Sequence, residues 1–357
     1  MADQDELAAL RATCSRFLAG HGPADAAAML ATIPADTKID NYGQGGVVAD
    51  LEAEICRLLG KPAATFLPSG IMAQQAVLRV HADHRSRRTV IFHPMCHLEQ
   101  HEDQGYQRLH GLIGRPAGGR DRLITLDDLT AIAEPPAALL LELPQRDIGG
   151  QQPEFDDLAA QVDWARGRGA AAHLDGARLW ESAAGYGRSP AEISGLFDTV
   201  YVSFYKGIGA LAGCCVAGPE DVIMQVRDWR RRMGGTLYGL WPSAASALSC
   251  LAQRLPKFPA YTEHARAIGA ELAALPGITV IPDPPQVPMM HLLLQVSADG
   301  YAAAARKLAA DRGIWVSPSS MPTADPGVQR LEFAVGDATT GFEPAEVADI
   351  FAGLTAR

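Results

Sequence analysis

From about residue 45 to residue 240 the chain alternates short, apolar, β-rich runs with helical segments, and this alternation restricts the folds available to it. Segments 47–60 and 154–169 carry apolar residues at helical spacing. The candidate strands are "AATFL", "RTVIFH", "GLIGR", "AALLLEL", "AAAHLDG", "TVYVSFY" and "AGCCVAG". Strands joined by helices of this length are parallel, with right-handed crossovers and helices on both faces of the sheet. The pattern therefore predicts an α/β domain with a mostly parallel sheet.

The pattern changes after about residue 241, where a long helical region is followed by strands and helices in a different order. The candidate strands here are "GITVIP", "MMHLLLQVS" and "GIWVSPS", with "YAAAARKLAADRG" and "PAEVADIFAGLTAR" as helices. This order is typical of a smaller α+β domain. We expect an N-terminal helical segment at 1–35 that packs on the small domain, a large α/β domain at 36–250 and the small domain at 251–357.

Composition limits the classes of function. The 357 residues, 48% of them hydrophobic, are enough to bury a sizeable core, and the net charge is −10. No clustered basic surface is evident, so no nucleic-acid partner is expected. The start lacks the basic and apolar regions of a signal peptide, and no run of 18 apolar residues occurs. We expect a cytoplasmic protein with no membrane partner.

Three strand ends carry chemically unusual residues. Ser69 and Gly70 follow the first strand and lead into a helix, whose free N–H groups can bind an anion. Asp175 ends an almost wholly apolar strand, with Arg178 three residues later as a possible partner for the carboxylate. Lys206 ends the next strand and is followed by small residues. Ligands of doubly wound domains bind at the carboxyl ends of the strands, so these positions belong to one candidate site.

An anion-binding turn, a carboxylate and a lysine, in this order, are what a pyridoxal phosphate enzyme requires. The turn binds the phosphate, the carboxylate keeps the pyridine nitrogen protonated, and the lysine holds the aldehyde as a Schiff base. A desolvated lysine also has a lowered pKa, which makes its amine a better nucleophile. The combination predicts pyridoxal 5'-phosphate as the cofactor.

The sequence resembles the threonine aldolase and β-eliminating lyase family of fold-type I pyridoxal phosphate enzymes. The stretches that carry the resemblance are "DNYGQGGVVADLEAEICRLLGKPAATFLPSGIMAQQ", "HLEQHEDQGY", "HLDGARLWESAAGYG", "FDTVYVSFYKGIGALAGCCVAG" and "RLEFAVG". The resemblance implies a large domain with a mostly parallel sheet of seven-stranded type and a smaller α+β C-terminal domain. It also implies an amino acid substrate and a homodimer or homotetramer with shared active sites.

The resemblance also implies a role for individual residues. Lys206 matches the Schiff-base lysine, Asp175 the partner of the pyridine nitrogen, and His97 the histidine that stacks on the cofactor and takes part in proton transfer. The expected cofactor contacts are Ser69, Gly70, Ile71, His97, Asp175, Arg178, Ser203 and Lys206, and the expected substrate contacts are Arg178, Arg330, Tyr42, Glu142 and Gln145. Tyr42 matches a tyrosine at the subunit interface.

Two positions depart from the family pattern. Aldolases have an "ENTHN"-like segment with a second active-site histidine, whereas this chain has "ELPQRD", which keeps Glu142 and places Gln145 at or near the histidine position. A glutamine cannot act as a general base. The serine that usually precedes the lysine is Tyr205 here, with Ser203 two positions earlier.

These departures leave alternatives open. The resemblance implies cleavage of a β-hydroxy-α-amino acid to glycine and an aldehyde, but a β-eliminating lyase and a non-catalytic binding protein would use the same cofactor contacts. A dinucleotide-binding oxidoreductase is disfavoured because no G-x-G-x-x-G opens the first helix. His93, His97 and His101 have helical spacing, but His93 precedes a proline, so a metal site on one helix is not expected.

Overall fold

The computed structural model describes residues 2–356, whose contacts divide them into two compact units. The larger unit comprises residues 25–148 and 152–257. The smaller unit comprises the residues up to 24, residues 149–151 and the residues from 258 onward. Along the chain, the smaller unit begins with α1 (Ala2–Thr13) and β1 (Arg16–Phe17).

The larger unit alternates strands and helices, as the sequence predicts. Its helices are α2 (Ala26–Leu30), α3 (Gly46–Leu59), α4 (Gly70–Arg85), α5 (His97–Gln100), α6 (Gly105–Arg108), α7 (Leu126–Thr130), α8 (Phe155–Gly167), α9 (Leu179–Tyr186), α10 (Pro190–Gly195), α11 (Glu220–Arg232) and α12 (Trp241–Arg254). Its strands are β2 (Ala63–Leu67), β3 (Thr89–Phe92), β4 (Ile113–Pro116), β5 (Ala138–Glu142), β6 (Ala171–Gly176), β7 (Thr199–Ser203) and β8 (Cys214–Gly218).

Within the described residues these strands form one seven-stranded sheet in the order β2-β8-β7-β6-β5-β3-β4. The pairs from β7 through β4 are parallel, which matches the expected crossovers. In contrast, β8 runs antiparallel to both β7 and β2. The inner strands are buried along their whole length, which explains their continuous apolar sequences. The sheet therefore brings the carboxyl ends of β5, β6 and β7 to one edge.

Helix α4 crosses the face of the sheet that carries His173 and Thr199. The side chain of Ser69 caps the start of the helix by accepting a hydrogen bond from the N–H of Met72. Gln74 Oε1 lies 2.6 Å from His173 Nε2. About two turns further along the helix, His81 Nε2 lies 2.8 Å from Thr199 Oγ1. Because α4 runs antiparallel to β6 and β7, its N-terminus lies at their carboxyl ends.

The smaller unit is an α+β arrangement. Its remaining helices are α13 (Phe258–Ala273), α14 (Ala298–Arg312) and α15 (Pro344–Thr355), and its strands are β9 (Ile278–Ile281), β10 (Met289–Leu294), β11 (Ile314–Trp315), β12 (Met321–Pro322) and β13 (Gln329–Ala334). An antiparallel sheet has the order β12-β13-β10-β9, and β1 pairs in parallel with β11. None of the helices in residues 2–356 combines the length and the apolar composition that crossing a membrane requires.

Candidate active site

Lys206 lies in the connection between β7 and β8. Sheet hydrogen bonds hold the strands on either side, and within the connection Gly209 N donates to Lys206 O at 2.9 Å. The side chain is half-buried, and this burial lowers the pKa of Lys206 below its ordinary value, while the charge of Asp175 opposes the shift. A lowered pKa makes the amine easier to deprotonate and therefore a better nucleophile.

A small residue is needed beside Lys206 because the protein itself approaches closely there. A Cβ at Gly207 would collide with the carboxylate of Glu181, and a Cβ at Gly213 would collide with the ring of Phe66. The glycines around the lysine are therefore explained by packing of the chain.

Two carboxylates lie side by side at the carboxyl edge of the sheet. Glu142 ends β5 and pairs in register with Asp175 on β6, which in turn pairs with Tyr201 on β7. Asp175 is buried, and its Oδ1 accepts a hydrogen bond from Ala177 N at 3.1 Å. Burial, together with the charge of Asp175, raises the pKa of Glu142 to about 7. A single negative charge is thus favoured over two at this edge.

His97 is held by carboxylates through both its backbone and its ring. The backbone N–H of His97 donates to Glu142 Oε2 at 3.0 Å, and its Nδ1 lies 3.1 Å from Glu102 Oε1. The other oxygen of Glu102 accepts a hydrogen bond from Gln75 Nε2 at 3.2 Å. The hydrogen bond to Glu102 raises the pKa of His97 above its usual range. With Nδ1 engaged, Nε2 is the ring nitrogen left for chemistry.

The turn that the sequence predicts as an anion site forms the N-terminus of α4. Ser69 is the N-cap, Gly70 is buried, and Ile71 is exposed. A Cβ at Gly70 would collide with the hydroxyl of Tyr201, so only glycine fits there. Ser203 lies at the end of β7, and its buried hydroxyl interacts with that of Tyr205 by a hydrogen bond.

Arg178 pairs with a different carboxylate from the one considered in the sequence. Its Nη1 donates to Glu181 Oε1 at 3.1 Å, and Glu181 is buried. Burial raises the pKa of Glu181, and the charge of Arg178 acts against that shift. The carboxylate of Asp175 accepts the backbone N–H of Ala177.

Gln145 acts as a brace rather than as a proton carrier. Its Nε2 donates to Met95 O at 3.1 Å and to Glu142 Oε2 at 3.2 Å. The amide thus fixes the carboxylate that also receives the N–H of His97.

The three histidines considered as metal ligands have different hydrogen-bond partners, although the rings of His97 and His101 lie close together, with centroids 5.2 Å apart. His93 Nε2 lies 2.8 Å from Arg122 O, whereas His101 Nε2 lies 2.8 Å from Asp147 Oδ2. No group of three possible metal ligands occurs in the described part of the chain.

Two of the expected site residues have other neighbours in the structure. Tyr42 packs edge-on against Tyr238, with ring centroids 5.4 Å apart, and lines a cavity of about 410 Å³ together with Arg230 and Arg231. Arg330 lies on β13 of the smaller unit, where its Nη2 lies 3.5 Å from Met321 Sδ.

The sequence did not single out several residues that the structure places in the cluster. These residues, to which the sequence assigns no role, are Gln75, Glu102, Glu181 and Tyr201. The spacing of Arg178 and Glu181 on the first turn of α9 was a usable signal, because residues three apart share a helix face. The Gln75–Glu102 contact joins elements 27 residues apart, and no local pattern predicts it.

The residues present fit pyridoxal phosphate. The N-terminus of α4 offers N–H donors to a phosphate, Asp175 offers a carboxylate to a ring nitrogen, and Lys206 offers an amine with a lowered pKa. An α/β unit with these groups at the carboxyl edge of a mostly parallel sheet defines the class of fold-type I pyridoxal phosphate enzymes.

Comparison with known proteins identifies the family. The β-eliminating lyase family model matches residues 21–296, so the chain belongs to the β-eliminating lyase family. A solved structure from Listeria monocytogenes EGD-E, described provisionally as an L-allo-threonine aldolase, is 36% identical, with a TM-score of 0.92 over 97% of this chain and 98% of that chain.

Two curated relatives are similar over part of the chain. Aldolase vrtJ of Penicillium aethiopicum is 35% identical over 219 residues, which are 58% of this chain and 55% of that protein, so the match spans about half of the relative. Low-specificity L-threonine aldolase 1 of Arabidopsis thaliana is 27% identical over 258 residues, 69% of this chain and 71% of that protein. The family and the fold expected from the sequence are confirmed, and the family implies a pyridoxal-phosphate-dependent carbon–carbon lyase.

Proposed function

We propose that this protein binds pyridoxal phosphate and cleaves the Cα–Cβ bond of a threonine-like β-hydroxy-α-amino acid, releasing glycine and an aldehyde. The observation that carries the proposal is the convergence of Asp175, His97 and Lys206, with the N-terminus of α4, at the carboxyl edge of the sheet. Family membership supports the same reaction class.

Different residues would hold the phosphate, the ring nitrogen and the aldehyde carbon of the cofactor. Ser69, Gly70 and Ile71 would bind the phosphate through the start of α4, with Ser203 beside them. Asp175 would pair with the ring nitrogen, and Lys206 would bind the aldehyde carbon. When bound, the cofactor supplies an electron sink for the bond that breaks.

His97 would remove the proton of the substrate hydroxyl through Nε2. Its Nδ1 faces the buried carboxylate of Glu102, which fixes the orientation of the ring and stabilises the imidazolium that forms. Glu142 receives the backbone N–H of His97, so it holds the start of α5 in place. Gln145 in turn braces Glu142.

Arg178 and Arg330 would contact the substrate carboxylate or the cofactor, since a planar guanidinium binds a carboxylate through two parallel hydrogen bonds. Tyr42, which is 51% exposed, is free to contact a second copy of the chain in a homodimer or homotetramer with shared active sites. The cytoplasmic location expected from the sequence stays a prediction.

The first experiment tests the cofactor. Purified protein titrated with pyridoxal phosphate should gain an absorption band near about 420 nm, as lysine-bound cofactor does. Lys206→Ala should abolish this band. A wild-type protein that stays colourless would overturn the proposal.

The second experiment tests the reaction. The loaded enzyme is incubated separately with L-threonine, L-allo-threonine, L-serine and L-cysteine, and glycine, aldehyde and pyruvate are measured. Equal amounts of glycine and acetaldehyde from either threonine isomer support the aldol cleavage.

A β-eliminating lyase is the second candidate. The observation that favours it is Gln145, which occupies the place of a second aldolase histidine and cannot accept a proton. Pyruvate without glycine would establish elimination in place of the aldol cleavage.

A further inference from the structure

Three hydroxyl groups alternate with apolar residues just before the lysine, in the stretch "YVSFY" at 201–205. The intervening Val202 and Phe204 are fully buried. Alternate residues of a strand point to the same face, so Tyr201, Ser203 and the following Tyr205 are directed to one side of the sheet. The aldolase mechanism leaves this row of hydroxyls largely unexplained.

The hydroxyl row lies against the start of α4. A Cβ built on Gly70 would collide with the hydroxyl oxygen of Tyr201 and would lie 3.3 Å from that of Tyr205. Both phenol oxygens therefore contact the first residue of the helix, where backbone N–H groups have no partner within the helix. The two phenols also interact with each other through their hydroxyls.

Two further observations bear on what this row can bind. Ser203 is only 1% exposed, and its hydroxyl interacts with that of Tyr205 by a hydrogen bond. The three hydroxyls therefore form one connected row, and an anion bound beside Tyr205 would accept a hydrogen bond from it. Burial also raises the pKa of both tyrosines, so their hydroxyls keep their protons and can donate.

Exposure separates the roles of the two tyrosines. Tyr205 is 43% exposed and can reach a ligand, whereas Tyr201 is 3% exposed and is enclosed between the sheet and α4. Building on the proposed function, we propose that Tyr205 donates a hydrogen bond to the cofactor phosphate at the start of α4, and that Tyr201 positions the Tyr205 hydroxyl.

The test compares two ligands that differ only in the phosphate. Cofactor-free protein is titrated with pyridoxal phosphate and, separately, with pyridoxal, and the dissociation constants are read from absorbance. Tyr205→Phe should weaken the binding of pyridoxal phosphate by about tenfold or more, which is the effect expected from the loss of one hydrogen bond to a charged group. Binding of pyridoxal should change by less than about twofold.

Further variants separate donation from positioning. Tyr205→Ser should recover part of the lost affinity, because a hydroxyl is restored at the same position. Tyr201→Phe should weaken the binding of pyridoxal phosphate less than Tyr205→Phe does, and it should again leave the binding of pyridoxal unchanged. Tyr301→Phe is the matched control, since this buried phenol of the smaller unit donates to Ser317 O. It should leave both dissociation constants unchanged.

The outcomes are distinguishable. Unchanged affinity of Tyr205→Phe for pyridoxal phosphate, or an equal loss for both ligands, would overturn the role of Tyr205 while the proposed function stands. Wild-type protein that binds neither ligand would overturn the proposed function and this inference together. Thermal unfolding of each variant verifies that it is folded.

Discussion

His97 and Glu102 form a partly enclosed pair in which Nδ1 lies 3.1 Å from Oε1, and only 1% of the Glu102 side chain is exposed. Gln75, from the second turn of α4, donates to the other oxygen of the same carboxylate. The two contacts Gln75–Glu102 and Glu102–His97 thus connect the helix at the proposed phosphate site to the proposed base. A carboxylate behind a histidine fixes its tautomer and favours its protonated form.

Glu102→Gln should lower the pKa of His97, because the hydrogen bond to this carboxylate is the largest cause that raises it. If neutral His97 accepts the hydroxyl proton, the acidic limb of the kcat–pH profile should move to lower pH, and kcat should fall by about tenfold. The measurement is the rate of aldehyde release between pH 5 and pH 9, in steps of about half a unit. The exposed pair Glu54–Arg57 supplies the control, and Glu54→Gln should leave the profile in place. An acidic limb at the wild-type pH would contradict the pairing.

Asp175→Asn should lower kcat by roughly 10²- to 10³-fold, because an amide cannot stabilise charge on the ring nitrogen as a carboxylate does. Removing this charge should also lower the pKa of Glu142, to whose elevation it contributes after burial. The rate with L-threonine and the dissociation constant for pyridoxal phosphate are measured together.

Asp198 provides a matched control for Asp175. It lies just before β7, and its Oδ2 accepts a hydrogen bond from Ala172 N at 2.7 Å, at the amino ends of the strands. Asp198→Asn should cost about 1 kcal/mol of stability and leave kcat unchanged. Equal losses of kcat in both variants would show that Asp175 has only a structural role.

Gly70→Ala should destabilise the protein by about 1 to 3 kcal/mol and weaken pyridoxal phosphate, because the new Cβ would collide with the Tyr201 hydroxyl and displace the start of α4. Adding Tyr201→Phe should recover part of the stability, since the colliding oxygen is then absent. Urea unfolding of the single and double variants measures this coupling.

The control for a glycine substitution is Gly353→Ala in α15. A Cβ at Gly353 meets nothing within contact distance, so alanine should be neutral or stabilising by up to about 1 kcal/mol. If the double variant is no more stable than Gly70→Ala, the Tyr201 hydroxyl is not the group that excludes a side chain at residue 70.

His173→Gln should make the stability of the protein less dependent on pH. Burial lowers the pKa of His173 to about 3, so the folded state holds it neutral while the unfolded chain binds a proton below about pH 6.5. Stability is therefore fully present above about pH 6.5 and is lost as the pH falls toward the folded pKa.

Between pH 7.5 and pH 5.5 the wild type should lose about 1.4 kcal/mol more of its free energy of unfolding than the variant does. The difference between the two proteins is the quantity to measure, because Glu142 titrates in the same range in the opposite sense. Parallel curves for wild type and variant would contradict the assignment.

The sequence was sufficient for the features that depend on local pattern and strand order. Apolar runs separated by helices predicted the α/β unit, and the rule that parallel strands end at one edge predicted that Asp175 and Lys206 would share a site. Their strands, β6 and β7, are indeed adjacent and parallel. The N-cap Ser69 was likewise a local signal.

Contacts that depend on side-chain packing were not predictable from the sequence. The direction of β8 is one example, because the short connection through Lys206 closes an antiparallel pair where parallel crossovers dominate elsewhere. His173 seemed an ordinary member of a buried strand, since nothing in "AAAHLDG" shows that Gln74 and Thr199 would satisfy both ring nitrogens. Glu102 and Gln75 met only through the tertiary fold.

Helix α4 carries Gly70 at one end. Along its length it carries Gln74, which pairs with the buried His173, and His81, which is itself buried and pairs with Thr199. A ligand that binds at the start of this helix favours the folded state over any state in which the helix has moved away. Proton binding by His173 favours the unfolded state, because burial lowers its pKa in the folded protein. A ligand bound at the start of α4 therefore opposes acid unfolding, so that resistance to acid should increase with occupancy of the site.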